Sequence, residues 1–246
     1  MKEADNLIKK FEKFSKTEIE SALIELKNIK VEANRKHLQR LVYTNLVNRF
    51  DVLLDYLLLI FAESSPEFKD SVLNKVKDTT INAKEFYEIL SSENPKEDVK
   101  MRIEELVRIN FLRERHSKKL RTLLETCLQV ESQELNRPRV NANDGRIHLS
   151  YKPRGNKVPS SVIGYADYLY SKRNGIVHGD GSKIAILPTD AIYLKKSFNT
   201  NPTLFIGIKL ASIQSAVNFY SYLCRFIETQ KWPEGRGTDY FRGVSK

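Results

Sequence analysis

Cysteine is scarce in this chain, tryptophan occurs once, and no long apolar run is present. The two cysteines of its 246 residues, Cys127 and Cys224, stand far apart and without zinc-ligand spacing around either. A disulfide framework and a cysteine-built metal site are thereby excluded, and the apolar helical surroundings read as buried free thiols in a reducing compartment. The longest apolar stretch, around Tyr56 to Ala62, falls far short of the roughly 20 residues a membrane span needs. The opening Met-Lys-Glu-Ala-Asp-Asn lacks the apolar core of a signal peptide. A soluble, cytoplasmic protein with no membrane partner is expected. No Gly-rich loop ends in Lys-Ser or Lys-Thr, no Gly-x-Ser-x-Gly turn occurs, and no Asp, Glu, Cys and His cluster has metal-ligand spacing. Neither a metal nor another cofactor is expected.

What the chain does have is 41% hydrophobic residues, enough for a folded core, and 41 Lys plus Arg against 31 Asp plus Glu, a formal charge of +10. An excess of that size favours polyanionic partners, nucleic acid first among them.

The apolar pattern is helical almost throughout. Leu7, Ile8, Phe11 and Phe14 form one stripe and Ile19, Ala22, Leu23, Leu26 and Ile29 a second. With Ser15 or Thr17 as a cap between them they predict an N-terminal helical hairpin over 1–32. The strongest helix runs from about Asn34 to Glu63, with Leu38, Leu41, Val42, Leu46, Phe50, Leu53, Leu54, Leu57 and Phe61 at helical spacing. Its later part is apolar nearly all round, which predicts burial on several sides. Two short helices over 66–92, broken near Thr79-Thr80, follow. A longer helical stretch is expected from about Pro95 to Gln129. The basic run inside it, with Arg113, Arg115, His116, Lys118, Lys119 and Arg121, reads as a solvated face or, alternatively, as an RNA track. From Glu134 to Pro159 the pattern dissolves into turn sequences that predict a mobile basic loop. Ser160-Ser161 caps the next helix. The short runs Ile184–Leu187 and Leu204–Ile208 predict a small two-stranded β-ribbon. A last helix is expected over about Ala211 to Gln230, with Ile213, Val217, Tyr220, Leu223, Cys224 and Ile227 inward, and then a flexible tail over 231–246.

The segment Arg173-Asn174-Gly175-Ile176-Val177-His178-Gly179 is not needed by a helical core. Histidine gives and takes protons near neutrality, arginine offers a planar fork to a phosphate, and asparagine orients without titrating. Together they suit phosphodiester chemistry without a metal. Two local geometries are open. A helix continuing to His178 sets it about 140° around the axis from Arg173. Termination at Gly175 or Gly179 lets both side chains turn into one cleft. Arg173 as a helix C-terminal cation, with His178 an exposed loop residue, is the plain structural alternative.

An Arg, a polar residue and a His after four intervening residues resembles the signature of the HEPN superfamily. Arg173, Asn174 and His178 stand at its positions, Gly179 also looks like the family, and His37, His116 and His148 lack an Arg at this spacing. The resemblance implies a mainly α protein: one domain with a HEPN-like antiparallel helical bundle over about 35–230, elaborated by extra helices and the ribbon. It implies a metal-independent endoribonuclease in which Arg173, Asn174 and His178 are catalytic. It further implies a homodimer whose two motifs meet, and a role as a toxin or anti-phage effector restrained by an antitoxin or other regulatory protein. RNA contacts are expected from Arg137, Arg139, Lys152, Arg154, Lys157 and Lys172. A non-catalytic HEPN-like module binding RNA or protein is the alternative, and a DNA-binding or adaptor protein, supported by charge alone, is a third reading.

Overall fold

The computed structural model describes residues 2–75, 83–179, 185–204 and 207–232. Its described residues form helices and contain no named strand. Those of the N-terminal region are α1 (Lys2–Phe14), α2 (Glu20–Asn28), α3 (Glu32–Ser64) and α4 (Pro66–Lys75). Then come α5 (Ala83–Leu90), α6 (Pro95–Val107), α7 (His116–Arg121) and α8 (Ser132–Asn136). The chain ends its described course with α9 (Val162–His178), α10 (Pro188–Phe198) and α11 (Leu210–Thr229).

Helix α3 is the central element. Tyr43, Leu46, Val47, Phe50, Leu53, Leu54, Leu57, Leu58 and Ala62 recur every three or four residues and are buried. Its neighbours include α1, α2, α4, α6, α7, α9 and α11, which accounts for burial on several sides at Leu53 to Ala62. The apolar buried stripe begins at Tyr43, one turn after buried Gln39; Leu38 and Leu41, expected inward, are exposed. Phe50 stacks on Tyr220 of α11 with centroids 4.1 Å apart, and Phe11 of α1 meets Phe50 edge-on at 5.4 Å. Among the described residues no helix is long and apolar enough to cross a membrane.

The expected N-terminal hairpin is corrected. Residues 2–28 stay helical through a π-helical segment at Ser15–Ile19, with Phe14, Ile19 and Glu20 all in the right-handed region. Ser15 is buried, and the Thr17 hydroxyl donates back to the Lys13 carbonyl at 2.7 Å. Neither hydroxyl caps anything, so no turn forms. The hairpin is instead made with α3: three residues, Ile29–Val31, join the helices, and Phe11 lies beside Phe50, so the two run antiparallel.

The stretch expected to be one helix over 95–129 is interrupted. A π-helical segment at Arg108–Leu112 is followed by a break at 113–115, and a second π segment at Thr122–Cys127 follows α7. Arg115 is extended (φ −58°, ψ 143°), and its carbonyl accepts from the amides of Lys118 and Lys119. The break turns the Arg115 side chain inward.

The loop expected over 134–159 is partly built into the core. Leu135, Val140 and Ile147 are buried, and Val140 bridges Ile147. Gly145 turns the chain between them at φ +73°; a Cβ there would lie 1.8 Å from the Ser215 carbonyl oxygen of α11, so only glycine fits. The Ser215 hydroxyl and the Asn218 amide of α11 donate to the carbonyls of Asn143 and Asp144.

Between the two runs assigned to a ribbon lies α10, which the β-like reading missed. Pro188 occupies its first turn and Leu194 and Asp190 are its buried residues. Of the ribbon, the Ile186 amide donates to the Leu204 carbonyl at 2.8 Å; Ile184, Phe205 and Ile206 lie outside the described residues. So do the expected break near Thr79-Thr80 and residues 233–246 of the expected tail. The two cysteines are free, Cys224 buried and Cys127 half-buried.

Candidate functional site

Helix α9 begins with Ser161, whose Oγ accepts from the Gly164 amide at 3.2 Å, the cap expected there. It is held on α3 by the Tyr43 hydroxyl, which donates to the Leu169 carbonyl at 2.9 Å. The helix then continues without a break through Gly175 to His178, and Gly179 ends it at φ −72°, ψ 158°. Of the two geometries open from the sequence, the continuous one is observed. A five-residue offset sets Arg173 and His178 about 140° apart.

Arg173 and Asn174 enter a polar seam where α3, α7, α9 and α10 meet. Arg173 Nε donates to Asn48 Oδ1 at 2.6 Å and its Nη1 to Asn174 Oδ1 at 3.0 Å. Its guanidinium lies 5.5 Å from the centre of the Tyr170 ring. Asn174 Nδ2 donates to Asp190 Oδ2 at 3.2 Å. The other oxygen of Asp190 accepts from Arg115 Nη1 at 2.7 Å. Arg115 also grips Asp167 with two bonds, 2.7 and 2.8 Å, reaches Ser171 Oγ at 3.0 Å and covers the Tyr193 ring at 4.1 Å. Burial opposes the Arg115 charge, but Asp167 and Asp190 outweigh it and raise its pKa above the usual arginine value.

One helical turn along α3 from Asn48, Asp51 Oδ1 lies 2.8 Å from Nδ1 of fully buried His116 and 2.7 Å from Lys119 Nζ. Lys119 also reaches Asp55 at 2.7 Å. The His116 ring stacks on Tyr170, 5.0 Å and 6° apart. Tyr170 thus links the His116 pair to Arg173. Burial alone would raise the Asp51 carboxyl; the hydrogen bond and charge of His116, and Lys119 with them, hold it down at about 2. A carboxyl with a lowered folded-state pKa stabilises above its unfolded value and loses that contribution as pH falls through the folded one. Acidification from the ordinary 3.8 to about 2 should therefore weaken the wild type more than Asp51→Asn. Urea unfolding of both across that window checks this, and parallel pH curves would contradict it.

His178 stands apart from this seam. It is exposed and has no hydrogen-bond partner among the described residues. Exposed Val177 precedes it, and exposed Ile192 projects from α10.

The residues assigned to RNA contact divide. Lys152, Arg154 and Lys157 are exposed. Arg137 is exposed and lies 3.1 Å from Glu134. Arg139 is corrected: only 1% exposed, it pairs with Glu134, donates to the Leu149 carbonyl at 2.7 Å and covers the Trp232 ring at 5.0 Å. Its charge is spent on tying the 134–149 turn together. Lys172 is also corrected as a surface cation: it is buried between Tyr43 and Tyr168, and burial lowers its pKa to about 8.

Sequence reasoning missed Asn48, Asp51, Arg115, His116, Asp167 and Asp190. Asp167, a lone acid within the apolar start of α9, was the available signal, since a fully buried carboxylate requires a cation. The basic run was read as a solvated face, whereas Arg115, His116 and Lys119 face inward. Among the described residues no group of three or more His, Cys, Asp and Glu could hold a metal ion.

The protein is thus a mainly helical bundle, over its described residues, with a hydrogen-bonded arginine–carboxylate seam. Comparison with protein-family models, with curated proteins and with solved structures finds no match.

Proposed function

We propose that the protein is a metal-independent endoribonuclease of HEPN type, with Arg173, Asn174 and His178 at its active site. The observation that carries the reading is the state of Arg173. Two neutral amide oxygens, from Asn48 and Asn174, orient its guanidinium, and among the described residues no carboxylate pairs with it. Nη2 has no partner among the described residues. A charged fork held by neutral groups with a donor to spare suits a phosphate. Asn174 is itself fixed by Asp190, which Arg115 holds.

In the reaction, a histidine takes the proton of the ribose 2′-hydroxyl as its oxygen bonds to phosphorus. The bond from phosphorus to the 5′-oxygen breaks, and that oxygen receives a proton. Arg173 stabilises the charge on the phosphorane-like transition state. The products are a 2′,3′-cyclic phosphate and a 5′-hydroxyl. Because α9 turns His178 away from Arg173 within one protomer, a second protomer has to complete the site. A two-fold dimer also supplies two histidines, one as base and one as acid. Exposed Val177 and Ile192 give such a contact apolar surface.

The test is incubation of the purified protein with total RNA in EDTA, with its mass read by light scattering. A dimer that cuts is expected. Activity that requires added Mg²⁺ or Mn²⁺, or that is complete in a monomer, would contradict the reading.

Lys152, Arg154 and Lys157 would hold RNA through phosphates. Changing all three to Ala should raise KM and lower the salt slope of binding by up to about 3, one for each contact. An unchanged slope would assign the loop to another partner.

A second reading is favoured by the divergence of Arg173 and His178: a non-catalytic module that binds RNA or protein. It predicts RNA binding with no cleavage in the same EDTA assay.

A further inference from the structure

A cavity of about 710 Å³ opens where α2 gives way to α3 and α11 begins. Lys27, Arg35, Lys36, Arg40 and Lys209 line it, and Glu32 is the one acidic side chain among its lining residues. Glu32 is bound to Lys36 at 2.6 Å. Glu32 also feels the charge of Arg35, and among the described residues Lys27, Arg40 and Lys209 form no ion pair, so five cations against one carboxylate leave the lining with four positive charges in excess. Excess cations around one concavity repel one another unless an anion enters.

Two further features converge there. Leu210 and Ala211, the first residues of the 20-residue helix α11, line the cavity, so amides at the positive end of a helix dipole contribute. Gln39 also lines it, is only 7% exposed, and among the described residues its side-chain amide has no hydrogen-bond partner. It can offer both a donor and an acceptor to a ligand in the cavity. Gly207, Ile208, Leu210 and Ala211 add an apolar wall.

We propose that this cavity binds a small organic oligophosphate of the nucleoside di- or triphosphate kind. A net excess of four positive charges and a helix start exceed what a single phosphate neutralises, whereas adjacent phosphates match them. The volume falls within the range of small-molecule sites, roughly 300–1,000 Å³. An RNA strand is better served by an open row of exposed cations than by a concavity. The site is separate from the Arg173 seam: Arg40 and Asn48 are eight residues apart on α3, about 12 Å. It stands whether or not the protein cuts RNA.

The test is calorimetric titration of the full chain with ATP, tripolyphosphate and inorganic phosphate at physiological ionic strength. Wild type should bind ATP or tripolyphosphate at micromolar concentration and inorganic phosphate at least about tenfold more weakly. ATP binding tighter than tripolyphosphate assigns a nucleoside to the apolar wall; equal binding assigns the phosphate chain alone, and both support the site. The double variant Arg35→Glu/Arg40→Glu should weaken binding about tenfold or more, and Gln39→Leu several-fold. Lys27→Ala/Lys209→Ala, which adds no charge to the surface, serves if the first variant melts early. Absence of oligophosphate binding in wild type overturns the proposal. So does wild-type affinity in both charge variants, or a variant that loses only single-stranded RNA binding.

Discussion

RNA cleavage is expected to vanish in His178→Ala, by about 10²–10³ or more in rate, with the fold intact. His178 is exposed at the end of α9 and has no hydrogen-bond partner among the described residues. Removing its ring therefore takes nothing from the core, and the melting temperature should move by only a few degrees. Truncating Leu54 or Leu57, both fully buried, should cost about 2–5 kcal/mol by contrast. Arg173→Ala should be equally inactive. Arg173→Lys should not restore cutting, because one ammonium cannot bond Asn48 and Asn174 and still present a donor in the same plane. RNA binding by His178→Ala should persist through the loop cations. A gel assay and a thermal melt on each variant suffice. Full cutting by His178→Ala would make the motif a helix end and nothing more; unfolding would make His178 structural.

Arg115→Ala should produce the largest loss of stability of any polar substitution proposed for this protein. Asp167 is fully buried and Asp190 nearly so, and Arg115 holds both. Without it two carboxylates remain in a low-dielectric seam where, among the described residues, the Asn174 amide still donates to Asp190 and no side chain donates to Asp167. Breaking a buried pair from one side costs about 3–5 kcal/mol. For a chain of this length that corresponds to a fall in Tm on the order of 10 °C. Adding Asp167→Asn should recover part of the loss, since the neutral amide no longer needs a cation. Urea unfolding of the single and double variants measures both effects. A cost below about 1 kcal/mol would show the seam to be solvated like a surface ion pair. Arg115→Ala should also lower cleavage at temperatures where it is folded, because Asp190 would no longer be fixed to orient Asn174.

The long helices were legible in the sequence because their apolar residues repeat at the helical period. The spans of α3 and α11, the start of α9 at the Ser161 cap and the inward face of α11 from Ile213 to Ile227 all follow from that pattern. What was hidden depends on partners distant along the chain. Ser15 and Thr17 look like caps, but a hydroxyl can return to the preceding turn, and packing of Phe11 and Phe14 carries the helix on. Arg115, His116 and Lys119 share a basic run with exposed Lys118. Only Asp51, Asp55, Asp167 and Asp190, from other helices, separate the inward-facing side chains from the solvated one. Arg139 looks like a loop cation until Glu134 and Trp232 enclose it. Of the candidate site, Arg173 and Asn174 were visible as a motif, whereas Asn48 and Asp190, which orient them, carry no local signal.

The most direct measurement is the chemistry of the RNA ends left by the purified protein in EDTA. A 2′,3′-cyclic phosphate and a 5′-hydroxyl, absent from parallel reactions with His178→Ala and Arg173→Ala, are expected from 2′-hydroxyl attack at this site. A 5′-phosphate end, or ends that persist unchanged in either variant, would contradict it.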